Sequence, residues 1–103
     1  MMIFLEMNSN IHLFSYIKYM KTIKLKDYNK NMGILIDVRH PLDYKNNHHP
    51  NSINIYYEKL MYNPTKYINK QNTYYITCEK GNLSGKTVKY LEFLGYKVIQ
   101  ALV

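Results

Sequence analysis

The residue best placed to do chemistry in this chain is its single cysteine, Cys78, because of the segments on either side of it. Before it, Thr73–Thr77 is rich in β-branched and aromatic residues and predicts a buried strand that ends at the cysteine. After it come a short polar loop containing Gly81 and a segment, Ser84–Leu94, with apolar residues at helical spacing and Gly95 as a stop signal. This order predicts a thiol at the carboxyl end of a strand, directly before the amino end of a helix.

That position favours nucleophilic or anion-binding chemistry. Ligand sites of open α/β sheets lie at the carboxyl ends of the strands. The N–H groups of a curled loop and of a first helical turn attract anions, so they would favour the thiolate and stabilise a persulfide or a bound oxyanion. A lone cysteine can instead simply fill space in a core. The strand end, the glycine-containing loop and the helix start favour the functional interpretation for Cys78, and no phosphate-binding Gly-x-x-x-x-Gly-Lys-Ser/Thr motif is present.

The rest of the chain predicts the elements that would position this thiol. Further strands are expected at Ile23–Leu25, Ile34–Val38, Ser52–Ile55 and Lys97–Leu102. Residues 39–51 are polar and turn-rich, and residues 56–69 predict one or two helical turns interrupted at a proline. The alternation predicts an α/β domain over residues 21–103, with a mostly parallel central sheet flanked by helices on both faces. Residues 1–20 are expected to form an N-terminal extension, with helical spacing of apolar residues from residue 11 onward.

Four motifs then give a specific resemblance. Asp37–Tyr44 resembles the Asp-Val-Arg-x-Pro-x-Glu-Tyr segment of rhodanese domains, and His48–Ile55 is similar to their His-Ile-Pro-Gly-Ala-x-Asn-Ile. Cys78–Ser84 resembles their Cys-x-x-Gly-x-x-Ser active-site loop, and Leu94–Val98 matches the Gly-Tyr-x-Val that follows the active-site helix. The motifs occur in the family's order and cover roughly residues 22–103, so the chain is identified as a member of the rhodanese-like family.

The resemblance implies a sulfurtransferase that moves a sulfane sulfur from a donor such as thiosulfate to a thiol acceptor. Cys78 would be the nucleophile and the persulfide carrier, without a cofactor or a metal. Asp37 and Arg39 would form a supporting polar pair, and Lys80 would attract an anionic donor. A dithiol protein of the thioredoxin type is the acceptor that the family suggests. The sulfur-binding loop would be formed by Glu79, Lys80, Gly81, Asn82, Leu83 and Ser84.

Some positions depart from the family pattern and keep alternatives open. Leu83 stands where many single-domain members carry arginine, and Glu79 places a carboxylate beside the nucleophile. These departures favour a second interpretation, a non-catalytic rhodanese-like module that binds or regulates a partner protein. A phosphatase or arsenate-reducing enzyme is disfavoured, because the loop is short and has no arginine for bidentate oxyanion binding. The family continues beyond the position of Val103 into a final helix, so that C-terminal helix is expected to be missing.

Charge and composition exclude other classes. The 103 residues carry a formal charge of +7, but the lysines are spread along the chain and no nucleic-acid-binding motif accompanies them. No apolar run is long enough for a membrane span, and the N-terminus lacks the features of a signal peptide. His40, His48 and His49 do not have the spacing of a metal site. We therefore expect a cytoplasmic monomer or weak dimer that interacts with neither nucleic acid nor membrane.

Overall fold

A five-stranded parallel sheet is the centre of the computed structural model, which describes residues 21–103. The strands lie in the order β1-β5-β4-β2-β3, and every neighbouring pair is parallel. Their bounds are Thr22–Lys24 (β1), Ile34–Asp37 (β2), Ser52–Asn54 (β3), Thr73–Thr77 (β4) and Lys97–Leu102 (β5). The α/β class and the parallel sheet predicted from the sequence are confirmed.

Strand β4 is central because it is paired on both sides and buried on both faces. Its alternating side chains divide between two cores: Tyr74 and Ile76 enter the larger one, and Tyr75 enters the smaller one. At its carboxyl end Thr77 is in register with Asp37 of β2, and the Val38 N–H donates to the Thr77 carbonyl at 3.0 Å. The residues that follow β2 and β4 are thereby brought to the same point of the sheet edge.

The helices are short except for the one that follows Cys78. Helix α4 spans Asn82–Phe93, and it packs with helix α2 (Tyr57–Tyr62) over the larger core, which includes Leu60, Val88 and Leu91. None of the helices in residues 21–103 is long and apolar enough to cross a bilayer; α4, the longest of them, has twelve residues. The others are α1 (Pro41–Asn46), α2 (Tyr57–Tyr62) and α3 (Pro64–Tyr67), with a 3-10 turn at Leu25–Asp27 after β1.

The second face of the sheet carries a smaller core of Tyr28, Leu35, Tyr75 and Ala101. Tyr28, which follows the 3-10 turn, lies across Tyr75 with 5.3 Å between ring centroids. Its hydroxyl donates to the carbonyl of Gly33 at 2.6 Å, which fixes the connection between β1 and β2.

Several expected boundaries were wrong in detail. Helix α4 begins at Asn82, two residues before the expected Ser84, and ends at Phe93. The stretch interpreted as turn-rich contains the six-residue helix α1, which Pro41 begins by supplying a pre-set φ at the first helical position. Smaller differences are that β1 lies one residue earlier than Ile23–Leu25, and that β2 and β3 each end one residue earlier than expected. The extension over residues 1–20, with its expected helix, lies outside the described residues.

Gly33 provides a test of the packing at the start of β2. A Cβ at this position would lie 2.6 Å from the carbonyl oxygen of Thr73, and neither backbone can withdraw without disturbing the β2–β4 pairing. We expect Gly33→Ala to lower the free energy of unfolding by about 2 kcal/mol, as overpacking does elsewhere. Urea denaturation measures the change. The exposed neighbouring substitution Lys30→Ala should leave stability within about 0.5 kcal/mol, and an equally stable Gly33→Ala protein would contradict the packing.

Candidate active site

The sulfur of Cys78 occupies the position of a helix-capping side chain. It accepts hydrogen bonds from the backbone N–H of Gly81 at 3.2 Å and of Ser84 at 3.1 Å. Ser84 is the third residue of α4, and its N–H is one that an N-cap side chain normally satisfies. The N-cap residue here is Gly81, which has no side chain, so the cysteine sulfur takes that role at the positive end of the helix.

Gly81 makes the tight turn that brings the helix back over the cysteine. Its φ is +86°, a left-handed conformation that glycine adopts without strain. The Gly81 carbonyl accepts the first intrahelical bond, from Gly85 N–H at 2.9 Å. The turn therefore brings the N–H groups of Gly81 and Ser84 to Sγ. Cys78 itself is buried, with 5% of its surface exposed.

An ion pair forms the adjacent wall of the site. Arg39 Nε lies 3.0 Å from both carboxylate oxygens of Asp37, and its Nη2 lies 2.7 Å from Oδ2. These bonds raise the pKa of Arg39 above its usual value. The Asn54 side chain donates to the carbonyls of both Asp37 and Arg39, at 3.0 and 2.9 Å. The turn after β2 is thus held at several points, and the guanidinium lies beside Cys78.

A main pocket of about 370 Å³ opens over the cysteine. Its walls come from the Cys78 loop on one side and from Arg39 and helix α1 on the other. The lining residues are Arg39, His40, Asp43, Tyr56, Cys78, Glu79, Lys80, Asn82 and Leu83. A second recess of similar volume adjoins it and shares Arg39, Cys78 and Glu79 with it. A buried thiol that accepts two N–H bonds at the bottom of a pocket with cations in its wall is suited to nucleophilic attack on a small anion.

Comparison with known proteins identifies the family. The sequence model of the rhodanese-like domain matches residues 21–102. The chain belongs to the rhodanese-like domain family. It is 40% identical over 63 residues to the adenylyltransferase and sulfurtransferase uba4 of Ogataea parapolymorpha. The aligned segment covers 61% of this chain and 16% of that protein. The chain therefore matches less than a fifth of the length of that curated relative.

Solved structures of the family have the same fold. A rhodanese-like domain protein from Staphylococcus aureus superposes with a TM-score of 0.70 at 28% identity, covering 81% of this chain and 85% of the other. A rhodanese-related protein from Thermoplasma volcanium gives 0.71 at 27% identity, covering 80% and 83%. An Escherichia coli structure described as rhodanese with anions gives 0.57 at 29% identity, covering 66% and 81%.

The expected site residues of this rhodanese-like domain come together, although their side chains have different surroundings. Glu79 and Lys80 are exposed and line the pocket, and Leu83 lines it while packing against the larger core. Ser84 is fully buried; its hydroxyl lies 3.2 Å from Sγ and accepts from the thiol. The hydrogen bonds to Asp37 are the main cause of the raised pKa of Arg39, and the charge of Glu79 makes only a minor contribution to it.

The histidines near this site have structural contacts. Nδ1 of His40 accepts from the Leu42 N–H at 3.1 Å and so caps α1, and Nδ1 of His49 accepts from the Asn51 N–H at 3.1 Å. The ring of His48 stacks on a tyrosine of α1 with 3.8 Å between centroids. Within residues 21–103, no three His, Cys, Asp or Glu side chains are grouped so that they could hold a metal ion.

Sequence reasoning missed one polar residue of the site, Gln100. It is buried in β5 and its amide nitrogen donates to the Gly81 carbonyl at 2.9 Å and to Ser84 Oγ at 3.0 Å. The sequence did contain a signal for it: the alternation of side chains along β5 places position 100 on the core side, and the residue there is polar. A buried amide needs hydrogen-bond partners, so such a residue indicates a polar contact inside the fold.

The Asp37–Arg39 pair can be tested by a conservative substitution. Asp37 is 3% exposed, so Asp37→Asn would leave a partly buried guanidinium without its counter-charge. We expect a loss of about 3 kcal/mol in the free energy of unfolding, measured by urea denaturation at pH 7. The matched change Asp43→Asn, at an exposed position in the first turn of α1, should cost less than about 1 kcal/mol. Equal effects of the two substitutions would show that the pair does not hold the turn.

Proposed function

We propose that this domain is a sulfurtransferase that carries a sulfane sulfur as a persulfide on Cys78. The observation that carries the proposal is the capping of α4 by the cysteine sulfur, with two N–H donors at 3.1 and 3.2 Å. Family membership supports it, as do the sulfurtransferase in the name of the yeast relative and the rhodanese in the description of the bacterial structure.

The proposed reaction has two displacements at sulfur. The Cys78 thiolate attacks the outer sulfur of thiosulfate; the Sγ–S bond forms as the S–S bond of thiosulfate breaks, and sulfite leaves with the electron pair. The product is a persulfide anion on Cys78. An acceptor thiolate then attacks the terminal sulfur, the bond to Sγ breaks, and the Cys78 thiolate is regenerated. Charge is conserved in both steps, and neither requires a cofactor.

The geometry supports each anionic species in this cycle. A helix of twelve residues leaves its first N–H groups without intrahelical partners, and those of Gly81 and Ser84 already bind Sγ. The N–H groups of Asn82 and Leu83 belong to the same first turn, and we propose that they receive the terminal sulfur. Lys80 in the pocket wall provides positive potential for a donor that approaches as a dianion, whereas the charge of Arg39 is largely compensated by Asp37. The acceptor is proposed to be a thiol, of a dithiol protein or a small molecule, that enters through the same pocket.

A non-catalytic partner-binding module is the second candidate, and Glu79 favours it. Its carboxylate is exposed and lines both the main pocket and the second recess, where it would repel an anionic donor. A phosphatase is less well supported. Arg39, the single arginine of the sequence, is already bound to Asp37 at both carboxylate oxygens.

Intact-mass spectrometry after incubation with thiosulfate distinguishes these candidates. We expect a gain of one sulfur, about 32 Da, that dithiothreitol removes, as for any reversible persulfide. Cys78→Ser is the matched control because it keeps the size of the side chain while removing the nucleophile, and it should gain nothing. A folded wild-type protein that gains no sulfur from thiosulfate or from polysulfide would contradict the carrier role and favour the partner-binding module.

The rate of sulfur loading tests the electrostatic part of the proposal. Removing one exposed charge about 6 Å from a dianion changes its interaction energy by roughly 1 kcal/mol in water-like surroundings. We therefore expect Lys80→Ala to slow persulfide formation by about three- to tenfold at low salt, with a smaller effect at high ionic strength. Lys97→Ala is the control, since it removes the same charge at the amino end of β5, the sheet edge opposite to the site. Equal rates for the two variants would contradict the role of Lys80.

A further inference from the structure

We propose that Gln100 is a positioning residue that orients the Ser84 hydroxyl as a hydrogen-bond donor to the Cys78 sulfur. The inference deepens the proposed function, on which its biological meaning rests, and it starts from the two hydrogen bonds of one buried amide. Gln100 Nε2 reaches the Gly81 carbonyl at 2.9 Å and Ser84 Oγ at 3.0 Å. Both acceptors belong to residues whose N–H groups bind Sγ.

The Ser84 hydroxyl can donate to either of two acceptors, and the hydrogen bonds of Gln100 disfavour one of them. As a donor, it can reach the Gly81 carbonyl at 3.4 Å or the sulfur at 3.2 Å. The amide of Gln100 already donates to that carbonyl at the shorter distance of 2.9 Å, and it also occupies a lone pair of Ser84 Oγ. Both contacts favour the orientation in which the Ser84 O–H points at Sγ.

This orientation matters when the sulfur is an anion. In the thiol form, the S–H donates to Ser84 Oγ. Once the thiol proton is lost to solvent, Sγ can only accept, and the bond must reverse so that the Ser84 hydroxyl donates to the sulfur. The thiolate then has three donors: the N–H groups of Gly81 and Ser84 and the Ser84 O–H. A relay from the Gln100 amide through the Ser84 hydroxyl to Sγ would thus stabilise the thiolate over the thiol.

The glycine at position 85 fits this role for Gln100. Gly85 lies inside α4 with no left-handed φ, a position where alanine would favour the helix. A Cβ there would lie 3.2 Å from Gln100 Nε2, closer than most real contacts of this kind. Helix propensity therefore does not explain this glycine, whereas room for the Gln100 amide does.

The test is the pH profile of alkylation of Cys78 by iodoacetamide, which reacts with the thiolate. Gln100→Met keeps the length of the side chain and removes the donor. We expect the pH of half-maximal rate to rise by about half to one pH unit, the shift produced by losing part of one hydrogen bond to a charged group. Ile99→Val is the control, because residue 99 lies on the same strand and packs against the opposite face, in the smaller core. It should leave the midpoint unchanged.

The other charged or titratable groups near the thiol are the same in the wild-type protein and in each variant, so they do not cause a difference in the midpoint between them. In the main pocket they are Arg39, His40, Asp43, Tyr56, Glu79 and Lys80. The second recess adds Asp37, His48 and His49.

A double-mutant cycle tests whether Gln100 acts through Ser84. Ser84→Ala should itself raise the midpoint, and Gln100→Met should add less than about 0.2 pH units in that background. An unchanged midpoint in folded Gln100→Met, or equal shifts in both backgrounds, would overturn the relay. Should Gln100→Met fail to fold, Gly85→Ala displaces the amide while favouring the helix; a raised midpoint supports the proposal and an unchanged one overturns it. All these midpoints are measured on the free thiol, so they are independent of whether thiosulfate loads sulfur onto Cys78.

Discussion

The hydrogen bonds from the start of helix α4 to the Cys78 sulfur are the interaction on which the rest of this site depends. A helix whose N-cap residue is a glycine has no capping side chain to satisfy its first N–H groups, and leaving buried N–H groups unpaired is costly. The sulfur supplies the missing acceptor from three residues upstream, so the loop must curl tightly and pass through a left-handed residue at Gly81. Structure and reactivity are therefore linked: the contacts that end the loop and begin the helix are also those that stabilise negative charge on sulfur.

The parallel sheet adds a second constraint, because it brings together residues that are far apart in sequence. Asp37 and Thr77 are in register at the carboxyl ends of β2 and β4, so Arg39 and Cys78 emerge side by side. After β2 the chain continues to β3 on one side of this pair, and after β4 it continues to β5 on the other side. Where successive connections leave in opposite directions, a crevice remains above the carboxyl ends of the two strands. The Asp37–Arg39 pair closes one wall of that crevice and is itself held by the Asn54 amide. From the other side of β4, β5 contributes Gln100 to the base of the loop.

The parts of this arrangement that were predictable from the sequence are those set by local chemistry. The run Thr73–Thr77 ends at the cysteine as expected, because β-branched and aromatic residues fill a buried central strand. The start of α4 was placed two residues late, because Asn82 and Leu83 were assigned to the polar loop, whereas the helix already includes them and is capped by the sulfur of a residue outside it. Helix α1 was not placed within the turn-rich stretch, because its six residues are little buried and carry no periodic apolar signal. Gln100 was missed because its partners lie 16 and 19 positions away, and only the folded sheet brings them together.

The site also shows how an anion can be held with little net charge. The donors that touch Sγ are neutral N–H groups, and the nearby guanidinium is largely compensated by Asp37. Dipoles fixed by the fold need no reorganisation when negative charge on the sulfur forms or is removed. A flexible cationic side chain would instead have to move toward the sulfur each time the charge forms. Under the proposed function, a carrier must release its sulfur as readily as it accepts it, which favours such moderate and fixed stabilisation. In the same proposal, the exposed and opposite charges of Glu79 and Lys80 act mainly on molecules that arrive at the pocket opening, so the choice of donor is separated from the stabilisation of the sulfur below.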